Sequence, residues 1–192
     1  MLFSNYSGYS FEAGIDEAGR GCLAGPVVAA AVVLPPKYKH ALLTDSKLLS
    51  RKQRELLRKD VLRDAVAWAI GEASPAEIDQ INILQATFLA MHRAVEALPQ
   101  QPDFLLIDGN RFKCYKEVPH ACIVKGDSKY LSIAAASILA KTHRDDVMAG
   151  LADVCGGYGW EQNAGYPTAL HREAIAQHGV TPHHRLSFKL LP

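Results

Sequence analysis

The chain has no C-x-x-C pair among its four cysteines, no apolar run approaching a membrane span of roughly 20 residues, and no excess of either charge. Each absence excludes something. Without thiols at metal-ligand spacing, a zinc ribbon or a thioredoxin-type site has no support. The best apolar run, from Val27 to Leu34, has strand length, so no membrane partner is expected. With 21 Lys+Arg against 20 Asp+Glu the formal net charge is +1, and any nucleic-acid contact has to come from a local basic patch. The opening MLFSNYSGYSFE shows neither a basic n-region nor an apolar h-region. Cys22, Cys114, Cys122 and Cys155 therefore read as reduced, mostly core thiols of a cytoplasmic protein, and the sequon at Asn5 carries no meaning. Repeats, low-complexity tracts and linkers are missing as well.

What is there is globular: 192 residues, 48% hydrophobic and 21% charged. At that length folding buries roughly 70% of the unfolded surface, enough for a core without staples. A monomer is expected. Phe11–Ile15 reads as a short strand ending on Asp16-Glu17. A glycine-rich stretch, 18–26, leads to a buried strand at Val27–Leu34, which suggests a hairpin. Ser50 to Gln53 fits a capping box and starts a helix. Val66–Ile70 reads as a third strand ending at Gly71. Ser74-Pro75-Ala76-Glu77 starts another helix, with Ile81, Leu84, Phe88, Met91 and Val95 as one apolar stripe that stops near Pro99. Phe104–Ile107 and Ala121–Val124 are two more strands. The Ala-rich segment Ser128–His143 reads as helix, 156–159 as a loop, and Thr168 as the cap of a helix ending near Gly179. The order implies an α/β domain with a mixed sheet.

Acidic residues stand where these strands stop: Asp16 and Glu17, then Asp108, then Asp127. Strand ends are where sites form in open α/β sheets. Carboxylates gathered there repel and lose hydration, so they need a reason to be together, and a divalent cation with oxygen ligands supplies one. Neighbouring strand residues face opposite ways, so Asp16 and Glu17 share one site only if the chain turns at once, as Gly19 and Gly21 suggest. A dinucleotide loop is a poor reading of Gly19-x-Gly21-x-x-Ala24. Pro26 and a valine run follow it where a helix should, and two carboxylates precede it. The glycines suit close backbone approach to a sugar hydroxyl, with Arg20 placed for a phosphate.

These residues resemble the ribonuclease HII family (type 2 ribonuclease H). The segments are Gly14–Gly21, Asp45-Ser46-Lys47, Ile78–Leu84, Leu106–Asn110, Lys125-Gly126-Asp127 with Ala134–Lys141, and Gly165–Thr168. Each alone is a modest signal; six in this order, spanning Gly14 to about Ser187, are specific. The resemblance implies a ribonuclease H-like mixed five-stranded sheet flanked by helices, with a small C-terminal helical part: residues 1–150 as catalytic core and 151–192 packed on it as one functional unit. It implies an endonuclease that cleaves the RNA strand of RNA/DNA hybrids and incises ribonucleotide-containing duplex DNA on the 5′ side of the ribonucleotide. The ends would be 3′-hydroxyl and 5′-phosphate, and Mn²⁺ or Mg²⁺ would be required, in a two-metal site. By motif the metal-holding, catalytic acids are Asp16, Glu17, Asp108 and Asp127, with Asp127 able instead to orient water. Gly19, Arg20, Gly21, Lys47 and Tyr166 would bind substrate, Tyr166 at the ribose. Cys22 stands where the family commonly has proline, and Leu48 where it often has a second lysine.

Lys125, Lys129, Lys141 and Arg144 flank the Ala-rich helix and are candidates for the phosphate path, as are His184 and Arg185; a solvated helix face is the plainer account of the lysines. His171, His178, His183 and His184 lack a metal-ligand spacing. Two other classes fit the acids less completely. A different metal-dependent nuclease on the same fold would differ in substrate. A catalytically silent hybrid-binding module would tolerate loss of Asp16.

Overall fold

The first strand, β1 (Glu12–Ala18), continues through Asp16 and Glu17 instead of stopping before them. It belongs to a computed structural model that describes residues 2–44 and 46–191; Asp45 and the side chain of Lys47, both drawn into the sequence expectations, lie outside the described residues. β2 (Val27–Val33) is buried at every position and pairs antiparallel with β1, Asp16 opposite Ala30, as the hairpin expectation requires. β3 (Ala67–Ala73) adds antiparallel to β2 and runs past the expected end at Gly71. That glycine serves packing rather than strand termination: a Cβ there would stand 2.2 Å from the Ala90 carbonyl oxygen.

Two helices start where the caps place them. Ser50 and Gln53 close a capping box at the head of α1 (Arg51–Asp64), and Ser74 and Glu77 do the same for α2 (Pro75–Glu96). Each such cap contributes about 1 kcal/mol by satisfying amides that the first turn leaves open. The apolar stripe expected on α2 forms from Leu84 through Phe88, Met91 and Val95, without its first member Ile81. Asn82 sits at φ 66°, ψ 163° and breaks the helix, and its Oδ1 accepts the N–H of Leu84 and of Gln85 to restart it. Ile81 is left partly exposed, and the buried face becomes Ala86, Phe88, Ala90, Met91, Ala94 and Val95.

β4 (Phe104–Asp108) lies parallel beside β1, and β5 (His120–Ile123) parallel beside β4. The sheet order is β3-β2-β1-β4-β5, which makes β1 the central strand. The mixed five-stranded sheet is thus the one expected. A 3-10 turn (Gly126–Ser128) precedes α3 (Leu131–Val154), which continues well beyond the expected end at His143. Past that point Arg144 and Met148 are buried, so tertiary packing extends the helix. α4 (Trp160–Asn163) and α5 (Ala169–His178) complete the chain. Of the cysteines Cys22 is buried, Cys122 and Cys155 are half-buried and pack against the core, and Cys114 is exposed, so the core expectation fails only for Cys114.

The sheet separates two apolar layers. Ala13, Ile15 and Ile107 face α2, while Val28, Ala30 and Val32 face α1 and α3. α3 can lie close because small residues meet there: Ala134, Ala135 and Ala136 on the helix, Gly14 on the strand. A third cluster joins Leu23, Ala24 and Met148 to Tyr158, Trp160 and Ile175, fastening the C-terminal helices to the loop after β1.

Two outcomes follow for stability. A Cβ at Gly14 would lie 2.3 Å from the Ser132 carbonyl carbon, so Gly14→Ala should lower the free energy of unfolding in urea by about 1–3 kcal/mol or more. His184 is buried against Tyr158 and Trp160; burial first, then the neighbouring His171, pushes its pKa down to about 4. In the unfolded chain the value returns to about 6.5. The unfolded state then binds the extra proton, so this contribution is complete above about pH 6.5 and is lost as the pH falls towards 4. Melting temperatures of His184→Gln and the parent chain should therefore diverge less at pH 4 than at pH 7.

Candidate active site

Asp16 and Asp108 meet because β1 and β4 are parallel and in register, Ile15 opposite Ile107, so both chains deliver their next residue at one sheet end. Asp127 arrives from the 3-10 turn after β5. Its approach is set by Lys125, which adopts φ 56°, and by the Gly126 N–H, which donates to Asp108 Oδ1 at 2.7 Å. Asp16, Asp108 and Asp127 each present a carboxylate oxygen, and these lie within 4.8 Å of one another. Asp16 and Asp127 are buried and Asp108 is half-buried.

Such a cluster is costly without a counter-charge. Burial raises the Asp16 pKa well above the ordinary carboxylate value, and the charges of Glu17 and Asp108 raise it further. Hydrogen bonding to Ser137 and from the Glu17 N–H, at 2.7 Å from Asp16 Oδ1, pulls the other way. Ser137 is itself held at 2.8 Å by Ser46. An all-oxygen donor set of this charge fits a hard divalent cation such as Mg²⁺ or Mn²⁺.

Glu17 stands at the same site, close enough for its charge to raise the Asp16 pKa. β1 runs on to Ala18, and the group of three oxygens within 4.8 Å comprises Asp16, Asp108 and Asp127 without Glu17. It still borders the same cavity of about 240 Å³, together with Asp16, Asp108, Gly21, Lys141 and Tyr166. Its Oε1 accepts from Arg20 Nη1 at 3.2 Å.

The glycine loop is pinned from beneath by two buried arginines. Arg144 donates from Nε to the Pro26 carbonyl, from Nη2 to that of Ala24 and from Nη1 to that of Ala164, all within 2.8–2.9 Å. Arg185 donates to the Gly25 and Arg20 carbonyls at 3.0 and 2.9 Å. Burial pushes its pKa down to about 10. Gly19, at φ 92°, leaves no room for a side chain, since a Cβ would fall 2.0 Å from Arg144 Nε. A Cβ on Gly21 would meet open space, so that residue presents bare backbone to the cavity.

The phosphate-path expectations for Arg144, Arg185 and His184 are therefore corrected. They are 1%, 0% and 2% exposed and bind main chain instead. Lys141 is paired with Asp145 and stands 5.9 Å from the centre of the Tyr166 ring. Lys125 and Lys129 are exposed, with Lys129 Nζ donating to the Val124 carbonyl. Tyr166, 39% exposed, overhangs the cavity that Asp16 lines. Ser137 was missed from sequence, although it and Lys141 stand four apart in an otherwise apolar stretch, the spacing of one helix face. The roles of Arg144 and His171 had no such signal.

The Ribonuclease HII family profile matches residues 13–191. Ribonuclease HII of Cytophaga hutchinsonii is 62% identical over 192 residues, which is all of this chain and 95% of that protein. That of Porphyromonas gingivalis is 59% identical over 98% of this chain and 94% of its own length. The ribonuclease H2 of Pyrococcus horikoshii OT3 superposes with a TM-score of 0.77 at 27% identity, covering 93% of this chain and 94% of that one. The RNase HII solved in complex with PCNA from Archaeoglobus fulgidus gives 0.76 at 26%, over 95% and 96%. With its acids gathered at the sheet end and its whole length matched, the chain belongs to the ribonuclease HII family of nucleases.

Proposed function

We propose that this chain hydrolyses the RNA strand of RNA/DNA hybrids and cuts duplex DNA on the 5′ side of an embedded ribonucleotide. The observation that carries the reading is the convergence of Asp16, Asp108 and Asp127 within 4.8 Å beside a cavity bordered by bare glycine backbone. The three aspartates, with Glu17 at the margin, hold Mn²⁺ or Mg²⁺. Bound there, a pair of such cations would supply charge neutralisation and a water of lowered pKa.

The chain's own groups supply the rest. Ser137 keeps one Asp16 oxygen engaged, so the carboxylate cannot swing away from the cavity. The Gly126 N–H fixes the orientation of Asp108. Main-chain groups of Gly19-Arg20-Gly21 and the Tyr166 hydroxyl contact the ribose 2′-hydroxyl, which is both donor and acceptor and is absent from DNA. Water adds to phosphorus, the bond to the preceding 3′-oxygen breaks, and that oxygen takes a proton. The ends are a 3′-hydroxyl and a 5′-phosphate. Residues 1–150 carry the hydrolysis, while 151–192 bring Tyr166 over it. In this reading the enzyme is a cytoplasmic monomer; among the described residues no helix is long and apolar enough to cross a membrane.

A labelled duplex carrying one ribonucleotide tests the reading. Incision is expected with Mn²⁺ or Mg²⁺, none with chelator, and none on all-DNA duplex. Equal cutting of all-DNA would assign the site to another nuclease class. Asp108→Asn should reduce turnover by at least about 10²-fold while the chain stays folded.

The same charges set a stability outcome. A folded-state pKa raised above the unfolded value makes Asp16 a source of destabilisation that grows as pH rises through and above the usual carboxylate range. Asp16→Asn should therefore raise the melting temperature in chelator at pH 8, by about 2–4 °C for each kcal/mol relieved. Added Mn²⁺ should stabilise the parent chain but not the variant, closing or reversing the gap. A variant that melts lower than the parent in chelator would show that the carboxylate cluster is not under strain.

A further inference from the structure

His171 is completely buried and lies one helical turn inside α5, yet no step of the chemistry above uses it. Two of its hydrogen bonds settle its tautomer. Nε2 stands 2.9 Å from Trp160 Nε1, and an indole N–H only donates, so Nε2 is the acceptor and carries no proton. The neutral ring then keeps its proton on Nδ1, which stands 2.9 Å from the Tyr166 carbonyl oxygen and donates to it. Trp160 is 1% exposed and stacked on Tyr158 with ring centres 5.0 Å apart, and the Tyr158 hydroxyl donates to the Gly179 carbonyl. The indole is therefore a fixed donor, and it leaves the imidazole one way to stand.

Tyr166 needs such support. Ala164 and Gly165 before it both take positive φ, and Gly165 lies so close to the loop after β1 that a Cβ would meet the Ala24 carbonyl oxygen at 2.6 Å. The preceding peptides are tied down: the Leu23 N–H donates to the Gly165 carbonyl at 2.8 Å, and Arg144 donates to that of Ala164. At Tyr166 itself the carbonyl accepts from the Thr168 N–H across Pro167 and from His171, the one side chain that reaches it among the described residues.

We propose that the Trp160–His171 pair is a positioning element for Tyr166: the indole fixes the imidazole tautomer, and the imidazole N–H holds the Tyr166 main chain so that its ring stands over the cavity of the acids. This rests on the ribose-reading role given to Tyr166 above. A reading group displaced by about 1 Å can cost about 10²-fold in rate, so the hold acts on catalysis without touching substrate.

Asparagine and glutamine separate the two bonds of His171. An asparagine amide N–H sits about where Nδ1 does and can still donate to the Tyr166 carbonyl. A glutamine amide reaches about as far as Nε2 and can satisfy Trp160 but not Tyr166. Both remove a similar ring, so a merely structural role lowers both alike. On a duplex with one ribonucleotide, in Mn²⁺, His171→Asn should keep kcat/KM within about threefold of the parent chain, while His171→Gln should lose about tenfold or more. Mn²⁺ affinity should be unchanged in both, because the acids stand on the sheet. In a Tyr166→Ala background the two variants should become indistinguishable. Trp160→Phe, a milder change in volume that removes the indole donor, should lose activity part-way towards His171→Gln and serves if either histidine variant does not fold. Equal losses in His171→Asn and His171→Gln, or a gap that survives in Tyr166→Ala, would overturn the proposal. Absence of incision by the parent chain would instead overturn the reading of the site.

Discussion

Like charges held within a few ångströms of each other govern the rest of this structure. Asp16, Asp108 and Asp127 come from a central strand, its parallel neighbour and the turn beyond the next strand, and their oxygens converge within 4.8 Å. Left to themselves such groups separate or take up protons. Here the backbone forbids separation. The register of β1 against β4 sets two of them side by side, and the Gly126 N–H holds the approach of the third. The scaffold accepts a less stable site in return for carboxylates already placed for a cation, the general pattern of preorganised sites.

The surrounding architecture keeps that arrangement rigid by close packing. α3 reaches the sheet at Gly14, where only a hydrogen can fit, and this depth puts Ser137 against Asp16 and Lys141 at the cavity wall. Two buried guanidinium groups extend the same logic to the loop after β1. Arg144 and Arg185 donate to backbone carbonyls that a loop would otherwise leave open. Guanidinium suits this work because its planar fork reaches several acceptors at once. Its role here, tying together segments distant in sequence, does not require exposure to solvent.

What the sequence made legible was chemistry carried by local signals. Capping boxes at Ser50 and Ser74, the acids after apolar runs and the glycines at 19 and 21 all show in the chain itself, and the mixed sheet followed from their order. What it hid depended on partners far away. Arg144 looks like one more cation beside Lys141 on a helix, and only the carbonyls of Ala24, Pro26 and Ala164 make it a core residue. Asn82 looks like an ordinary interior position of α2, because a backbone at φ 66° leaves no trace in periodicity. Asp16 and Glu17 were expected to share one site only if the chain turned at once, as the glycines after them suggest. Pairing with β2 instead holds β1 extended as far as Ala18, opposite Val28, so a long-range ladder delays the turn, and both acids border one cavity all the same.

The C-terminal segment connects these two kinds of information. Its apolar cluster with Leu23, Ala24 and Met148 could be mistaken for simple burial of surplus hydrophobic surface. Yet the groups it encloses are directional: an indole N–H, an imidazole with one allowed tautomer, and a guanidinium aimed at carbonyls. Apolar contact alone would tolerate small rotations of the segment, since dispersion and burial depend weakly on angle. Hydrogen bonds to the carbonyls of Ala164 and Tyr166 do not. Burial thus brings the segment to the core, and the polar contacts inside it decide where Tyr166 points relative to acids carried by the sheet and the turn after β5.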